Sequence, residues 1–184
     1  MLALLNRKAT KTLRRFHIDP DAGDFLESIT SLRSRLLSSG EYGHLERVCR
    51  AYIDLNGPDA EWLRDLGVAQ LFLGSQAAAS RKLRRSRDLD RRDPATVGYL
   101  GICHLFAGRE AEGAESLHHA RTLADEGGQV LPDLVEGFAW AVLDGEFETA
   151  GDFLRPFLKL RMWRRLFDQI AFTPIGQRAR TGPF

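Results

Sequence analysis

Leu66-Gly67-Val68-Ala69-Gln70-Leu71-Phe72-Leu73-Gly74 and, further along, Leu100-Gly101-Ile102-Cys103-His104-Leu105-Phe106-Ala107-Gly108 are two copies of one pattern. Each opens on Leu-Gly, carries Leu-Phe near its end and closes on Gly. The same interval extends outward in both directions. Leu32 stands one interval before Leu66, Gly40 stands one before Gly74, and Leu55, Leu89 and Leu123 repeat in step. Leu83 and Leu117, Ala79 and Gly113, and Ser86 and Ala120 keep that spacing too. A period of about 34 residues is that of a helix–turn–helix unit stacked on its neighbours.

The residue types suit such a hairpin. Its first helix needs an apolar residue facing its partner, supplied by Leu32, Leu66 and Leu100. A small neighbour lets the two helices approach, which Gly67 and Gly101 provide and Arg33 does not. The turn needs a residue free to take positive φ, a conformation glycine adopts at little cost. Gly40, Gly74 and Gly108 stand there. Helix breakers close the units at Gly57-Pro58 and Asp93-Pro94. Gly145 comes three positions later than the period would place it after Gly108, and the excess is expected in a longer loop at Asp125-Glu126-Gly127-Gly128-Gln129. The pattern then resumes with Phe147, Ala150 and Leu154, and Pro156 predicts a kink or an early end of that helix.

The ends have a different pattern. Residues 2–16 predict a short basic helix with apolar Leu2, Leu5, Leu13 and Phe16. Residues 158–172 place Leu160, Trp163, Leu166, Phe167 and Ile170 at helical spacing, as expected of a helix that covers the last apolar face of a repeat stack. Thr173–Phe184 reads as a tail.

Leu66-Gly67, Gly74, Ala79 and Leu83, and again Leu100-Gly101, Gly108, Leu117 and Ala120, resemble the tetratricopeptide repeat family over residues 25–160. The resemblance implies an all-α fold: a right-handed superhelix of about four helical hairpins with a C-terminal capping helix. The implied division is 1–20 as an N-terminal helix or arm, 21–160 as repeats, and 161–184 as capping helix and tail. The family binds partner peptides on the concave surface of its first helices. Carried over, the groove positions are Val68, Leu71 and Phe72, then Ile102, Leu105 and Phe106, then Ala139 and Val142, with Arg64 towards a helix start. The usual burial of leucine also assigns Leu71 and Leu105 to the core between repeats. The lysine and asparagine with which some members hold a terminal carboxylate are absent: Arg64, Gly98, Val68 and Ile102 occupy those places.

The run Leu100-Gly101-Ile102-Cys103-His104-Leu105, with Gly108, Ala114-Glu115-Ser116 and Ala120-Arg121-Thr122-Leu123-Ala124, is similar to the last repeat of bacterial type III secretion chaperones for translocator proteins. That resemblance implies a cytoplasmic protein whose groove holds an extended hydrophobic segment of a secreted partner.

Composition narrows the alternatives. The chain has 184 residues, 43% hydrophobic and 28% charged, and a formal net charge of +1. That balance gives no general attraction to nucleic acid or membranes. Cys49 and Cys103 are too few for a disulfide framework and read as small buried hydrophobes. The apolar start precedes its basic residues, the reverse of a secretory signal, and no run is long enough to span a bilayer. No phosphate loop, serine elbow or metal-ligand spacing occurs, and adjacent His118-His119 point about 100° apart on a helix. We therefore expect no catalysis, no cofactor, no metal and no small-molecule substrate; the partner is a protein or peptide, and self-association through the repeat ends stays open. Two further readings compete. One is an assembly subunit using outer or terminal surfaces, with Trp163, Arg164 and Arg165. The other is nucleic-acid or acidic-surface binding through the segment from Arg81 to Arg92, with Arg81, Arg84 and Arg85 on one helix face; Asp88, Asp90 and Asp93 balance that charge and disfavour it.

Overall fold

The computed structural model describes residues 2–171, with side chains from Arg7 onward. The expected tail at Thr173–Phe184 lies outside the described residues. The described residues form ten α-helices and one π-helical turn, with no strand. The chain divides after Asp90 into two compact units.

The first unit holds α1 (Leu2–Arg14), α2 (Phe25–Ser38), α3 (Tyr42–Asn56), α4 (Ala60–Phe72) and α5 (Gln76–Leu89). Helices α2 and α3 form one hairpin and α4 and α5 the next, with α1 lying against α3. The core is the apolar stripe of each helix: Leu13, Ile29, Leu32, Leu45, Val48 and Leu66 are all buried. The second unit holds α6 (Pro94–Phe106), α7 (Glu110–Gly127), α8 (Asp133–Ala139), the π-helical turn Trp140–Asp144, α9 (Phe147–Leu154) and α10 (Arg161–Ala171). Here α6 pairs with α7, and α8 with its π turn pairs with α9.

One turn motif recurs. Gly40, Gly74 and Gly108 take φ of +71°, +79° and +69°. Each is flanked by the same two bonds: the glycine N–H donates to Leu37, Leu71 or Leu105, and the next N–H donates back to Leu36, Gln70 or His104. This pair of bonds satisfies carbonyls that a helix end leaves orphaned, and it requires the left-handed residue that glycine supplies. Helix starts repeat as well. The Asp59 carboxylate accepts from the Trp62 N–H at 3.2 Å, and one repeat further on the Asp93 carboxylate accepts from the Ala95 N–H at 3.1 Å. Pro94 opens α6, where its missing N–H costs nothing.

Glycine also sets how close the helices come. A Cβ on Gly67 would lie 2.7 Å from Leu83 Cγ, one on Gly101 3.1 Å from Leu117 Cγ, and one on Gly137 2.6 Å from Leu154. In three successive hairpins a buried leucine of the second helix therefore lies against a bare backbone of the first.

One expectation needs adjustment. Of the loop expected at 125–129, residues 125–127 are instead the last turn of α7, which runs 18 residues against 14 for α5, and the loop begins at Gly128. Ala124, Asp125 and Glu126 tolerate the helix, and the left-handed cap falls on Gly128 at φ +60°. Leu89, one of the periodic leucines, is exposed at the end of α5. The early end expected near Pro156 is present: α9 stops at Leu154.

Replacing Gly67 with valine is expected to destabilise the chain by about 1–3 kcal/mol, because Leu83 has no free space to give. Gly43→Ala, in α3 with nothing within 4 Å of the added carbon, is expected to be neutral or stabilising by up to about 1 kcal/mol. Urea unfolding followed by far-ultraviolet circular dichroism separates the two; equal stability of both variants would remove the close-approach argument.

Candidate functional site

In the first unit, α4 is walled in along most of its length. Val68 and Leu71, expected to line a groove, are buried at 2% and 0% exposure. Phe72, at the end of α4, is half-buried: one ring face stacks on Tyr42 at 4.0 Å between centroids with planes 4° apart. Burial raises the Tyr42 hydroxyl pKa, so the ring keeps its neutral phenol. Phe72 thus presents a held aromatic at the hinge end of the hairpin.

A polar cluster that sequence reasoning missed lies on the first helices of the same unit. Arg33 of α2 donates to Glu61 at 2.9 Å, lies 3.5 Å from the Asp65 carboxylate and stands over the Trp62 ring at 4.8 Å. Arg64, expected at the groove edge, is turned to Asp65 at 2.9 Å. Tyr52 of α3 stacks on Trp62 at 3.9 Å. The cluster exists because the first hairpin breaks the glycine rule. Arg33 takes the place that Gly67 holds in the next repeat, and Cys49 the place that Leu83 holds. The small buried cysteine replaces the leucine knob opposite a long arginine. Burial, reinforced by the Asp65 charge, pushes the Cys49 thiol far up and keeps it inert. Burial likewise pushes the Asp65 carboxyl above the ordinary range, against the pull of Arg64 and Arg33. The available signal was the break in the Leu-Gly pattern itself: an arginine where the hairpin wants glycine needs partners.

In the second unit, Ile102, Leu105 and Ala139 are buried, as is Val142. Phe106 is half-buried and meets the Trp163 ring edge-on at 5.1 Å. Trp163, expected on an outward surface, is buried to 1% exposure, and lies 6.2 Å from Phe138. The reason is its helical register: Trp163, Leu166 and Ile170 form the inner stripe of α10, while Arg164 and Arg165 are exposed on the other side. The tryptophan and the two arginines therefore do not form one surface.

On α5, Arg81, Arg84 and Arg85 are exposed, as the helical pattern implies. Burial, then the charges of Arg50, Arg85 and Arg81, depress the Lys82 pKa, so these cations crowd one another across α3 and α5. Sequence reasoning also missed an open cleft of about 430 Å³ among α1, α2 and α3, lined by Arg15, Phe16, Arg35, Glu41, His44 and Arg47. The thiols Cys49 and Cys103 are free and buried. His118 and His119 are both exposed. No described helix is long and apolar enough to cross a membrane, and among the described residues no three His, Cys, Asp or Glu side chains are grouped to hold a metal.

No protein-family model and no curated protein matches this chain. Solved structures do. PcrH in complex with the chaperone binding region of PopB is 21% identical, covering 73% of this chain and 98% of that chain, with a TM-score of 0.52. PcrH in complex with the chaperone binding region of PopD is 21% identical over 72% of this chain and 96% of that chain, at TM-score 0.55. The type III secretion chaperone SycD of Yersinia enterocolitica, in complex with a peptide of the translocator YopD, is 22% identical over 67% of this chain and 95% of that chain, at TM-score 0.53. The fold of this chain is therefore the all-α, tetratricopeptide-like fold of translocator chaperones, and these neighbours are chaperones rather than enzymes.

The buried Asp65 carboxyl has a measurable signature. Its folded pKa lies above the unfolded value, so folding takes up a proton; its contribution to stability improves as pH falls through the folded pKa and levels off below the unfolded value of about 3.9. Asp65→Asn removes that dependence. In urea titrations from about pH 7 to about pH 4, the wild type is expected to gain stability relative to Asp65→Asn as pH falls. A difference that is flat, or that grows in favour of the variant, would contradict the raised pKa.

Proposed function

We propose that this protein is a non-catalytic cytoplasmic chaperone that holds an extended apolar segment of a secreted translocator protein on the first-helix surfaces of its hairpins. The observation that carries this reading is the fold likeness to PcrH and SycD, which extends over nearly their whole length and includes structures of both with translocator segments bound. The chain's own residues supply the chemistry such a role needs. Phe72 and Phe106 hold equivalent places in successive repeats, at the ends of α4 and α6. Each ring is held against another aromatic, Tyr42 or Trp163. A pre-held ring loses little rotamer freedom when an apolar side chain docks on it, which favours binding. An aromatic anchor of this kind suits an apolar side chain of an extended peptide better than a charged ligand. The arginines of α5 lie outside this chemistry.

Synthetic peptides of the chaperone binding regions of PopB and of PopD test the reading with the full-length protein. Phe72→Glu is expected to weaken peptide binding at least about tenfold, or about 1.4 kcal/mol, while circular dichroism stays helical. Combined charge reversal at Arg81, Arg84 and Arg85 is expected to leave it within about twofold, at any salt concentration. Calorimetry or fluorescence anisotropy reads both. Failure of the wild type to bind any translocator segment, or binding lost with the arginines and steeply dependent on salt, would end the proposal.

A further inference from the structure

The cleft among α1, α2 and α3 is lined by cations without a carboxylate partner. Both α1 and α2 lie against α3, and the space left between them is the open cleft of about 430 Å³. Three elements each supply one arginine to its wall: Arg15 from the turn that ends α1, Arg35 from α2 and Arg47 from α3. Among the described residues, Arg15 and Arg35 make no ion pair or hydrogen bond. Arg47 donates only its Nε–H, to the Gly43 carbonyl at 3.2 Å. Glu41 is the one carboxylate of the lining. It lies 2.8 Å from His44 Nδ1 and accepts from the Ser39 hydroxyl at 3.1 Å, so its bonds go to neither Arg35 nor Arg47. Three arginines against one glutamate leave an excess of two positive charges. Elsewhere in the unit the arginines on first-helix surfaces are answered: Arg33 by Glu61 and Arg64 by Asp65.

The cleft also has an apolar side and a shaped rim. Phe16 is half-buried; His44 meets its ring edge-on at 5.4 Å, and the Arg47 guanidinium stands over it at 5.9 Å. The turn that carries Arg15 and Phe16 closes with the Ile18 N–H donating to the Leu13 carbonyl at 3.1 Å. Its left-handed residue is His17, at φ +60°, whereas the hairpin turns place glycine there. Among the described residues His17 is the only non-glycine with positive φ. Such residues cost free energy and recur at ligand sites. The first turn of α3, next to Glu41 and His44, adds the partial positive charge of a helix start.

We propose that this cleft binds a small organic phosphate monoester, with the arginines on the phosphate oxygens and the Phe16 side against the apolar remainder. A phosphate monoester carries close to two negative charges and three acceptor oxygens, which matches the excess charge of the lining. A carboxylate would cancel only half of it. Guanidinium groups bind phosphate in paired, charge-assisted hydrogen bonds. The volume is that of a small-molecule pocket and exceeds what a bare phosphate fills. The site uses neither Phe72 nor Phe106 and stands or falls apart from the translocator reading.

Phenyl phosphate titrated into the full-length protein tests the proposal by calorimetry. Saturable binding at one site per chain is expected, with a Kd below about 1 mM. Arg35→Gln alone is expected to weaken it at least about threefold, and Arg15→Gln with Arg35→Gln at least about tenfold. Arg81→Gln with Arg84→Gln, an equally exposed pair on α5, is expected to leave it within about twofold. Benzoate, with the same ring and one negative charge, is expected to bind at least about tenfold more weakly. All the arginines changed are exposed, so circular dichroism is expected to stay helical, and Arg35→Gln decides the matter if the double variant does not fold. Absence of saturable binding overturns the proposal. So does an equal loss in the α5 pair, which would mark diffuse surface charge, and so does equal binding of benzoate or of inorganic phosphate.

Discussion

The contact of a leucine with a bare glycine backbone is the constraint from which the rest of this structure follows. Gly67 against Leu83, Gly101 against Leu117 and Gly137 against Leu154 bring the two helices of a hairpin so near that no side chain fits between them. Dispersion contact at that range is dense, and each leucine is buried completely or nearly so. The glycine that would weaken an isolated helix is here what allows its pairing. The turn glycines do a different task with the same residue, supplying the positive φ that ends one helix and aims the next.

Where the constraint fails, chemistry appears in its place. Arg33 stands where the first hairpin's glycine would be, and its guanidinium recruits Glu61, Asp65 and the face of Trp62. A buried network of this kind adds little net stability, because desolvating the charges offsets much of their attraction. Its effect is to fix the relative placement of α2 and α4, since the arginine fork and the ring accept few geometries. Close pairing has a second consequence. With α4 and α6 packed on nearly all sides, Val68, Leu71, Ile102 and Leu105 become core. The phenylalanines at the helix ends, Phe72 and Phe106, are half-buried.

How much of this is legible in the sequence follows from the range of the interactions. The hairpins and their turns are legible because their requirements are local and recur with every repeat: Gly40, Gly74 and Gly108 satisfy a backbone need that few other residues meet. The length of α7 is not, because Gly127-Gly128 offers two places to stop and the helix takes the later one. The groove is overstated by the sequence, because family register places a side chain on a face but does not say what else covers that face. The Arg33–Asp65 pairing and the seat of Trp163 join residues far apart in sequence, and no spacing announces such contacts. For Trp163 a weaker signal is present. Its interval to Leu166 and Ile170 marks an inward stripe, whereas the neighbouring Arg164 and Arg165 point to the other side of the helix.

The two units use aromatic residues to different ends, and that difference argues against reading the repeats as interchangeable. Phe72 stacks flat on Tyr42, a residue of the adjoining hairpin whose ring is itself half-buried, so the pair is a fixed element of the first unit. Phe106 occupies the equivalent place but meets Trp163 edge-on, and Trp163 belongs to a helix tethered by Pro156 and short turn bonds. An edge-on contact leaves much of the phenylalanine face to other neighbours. The same sequence position thus holds a stacked contact in one unit and an edge-on contact in the other. The repeat encodes the place of the aromatic; what it faces differs, a residue of the adjoining hairpin for Phe72 and, for Phe106, the helix that the chain adds beyond the repeats.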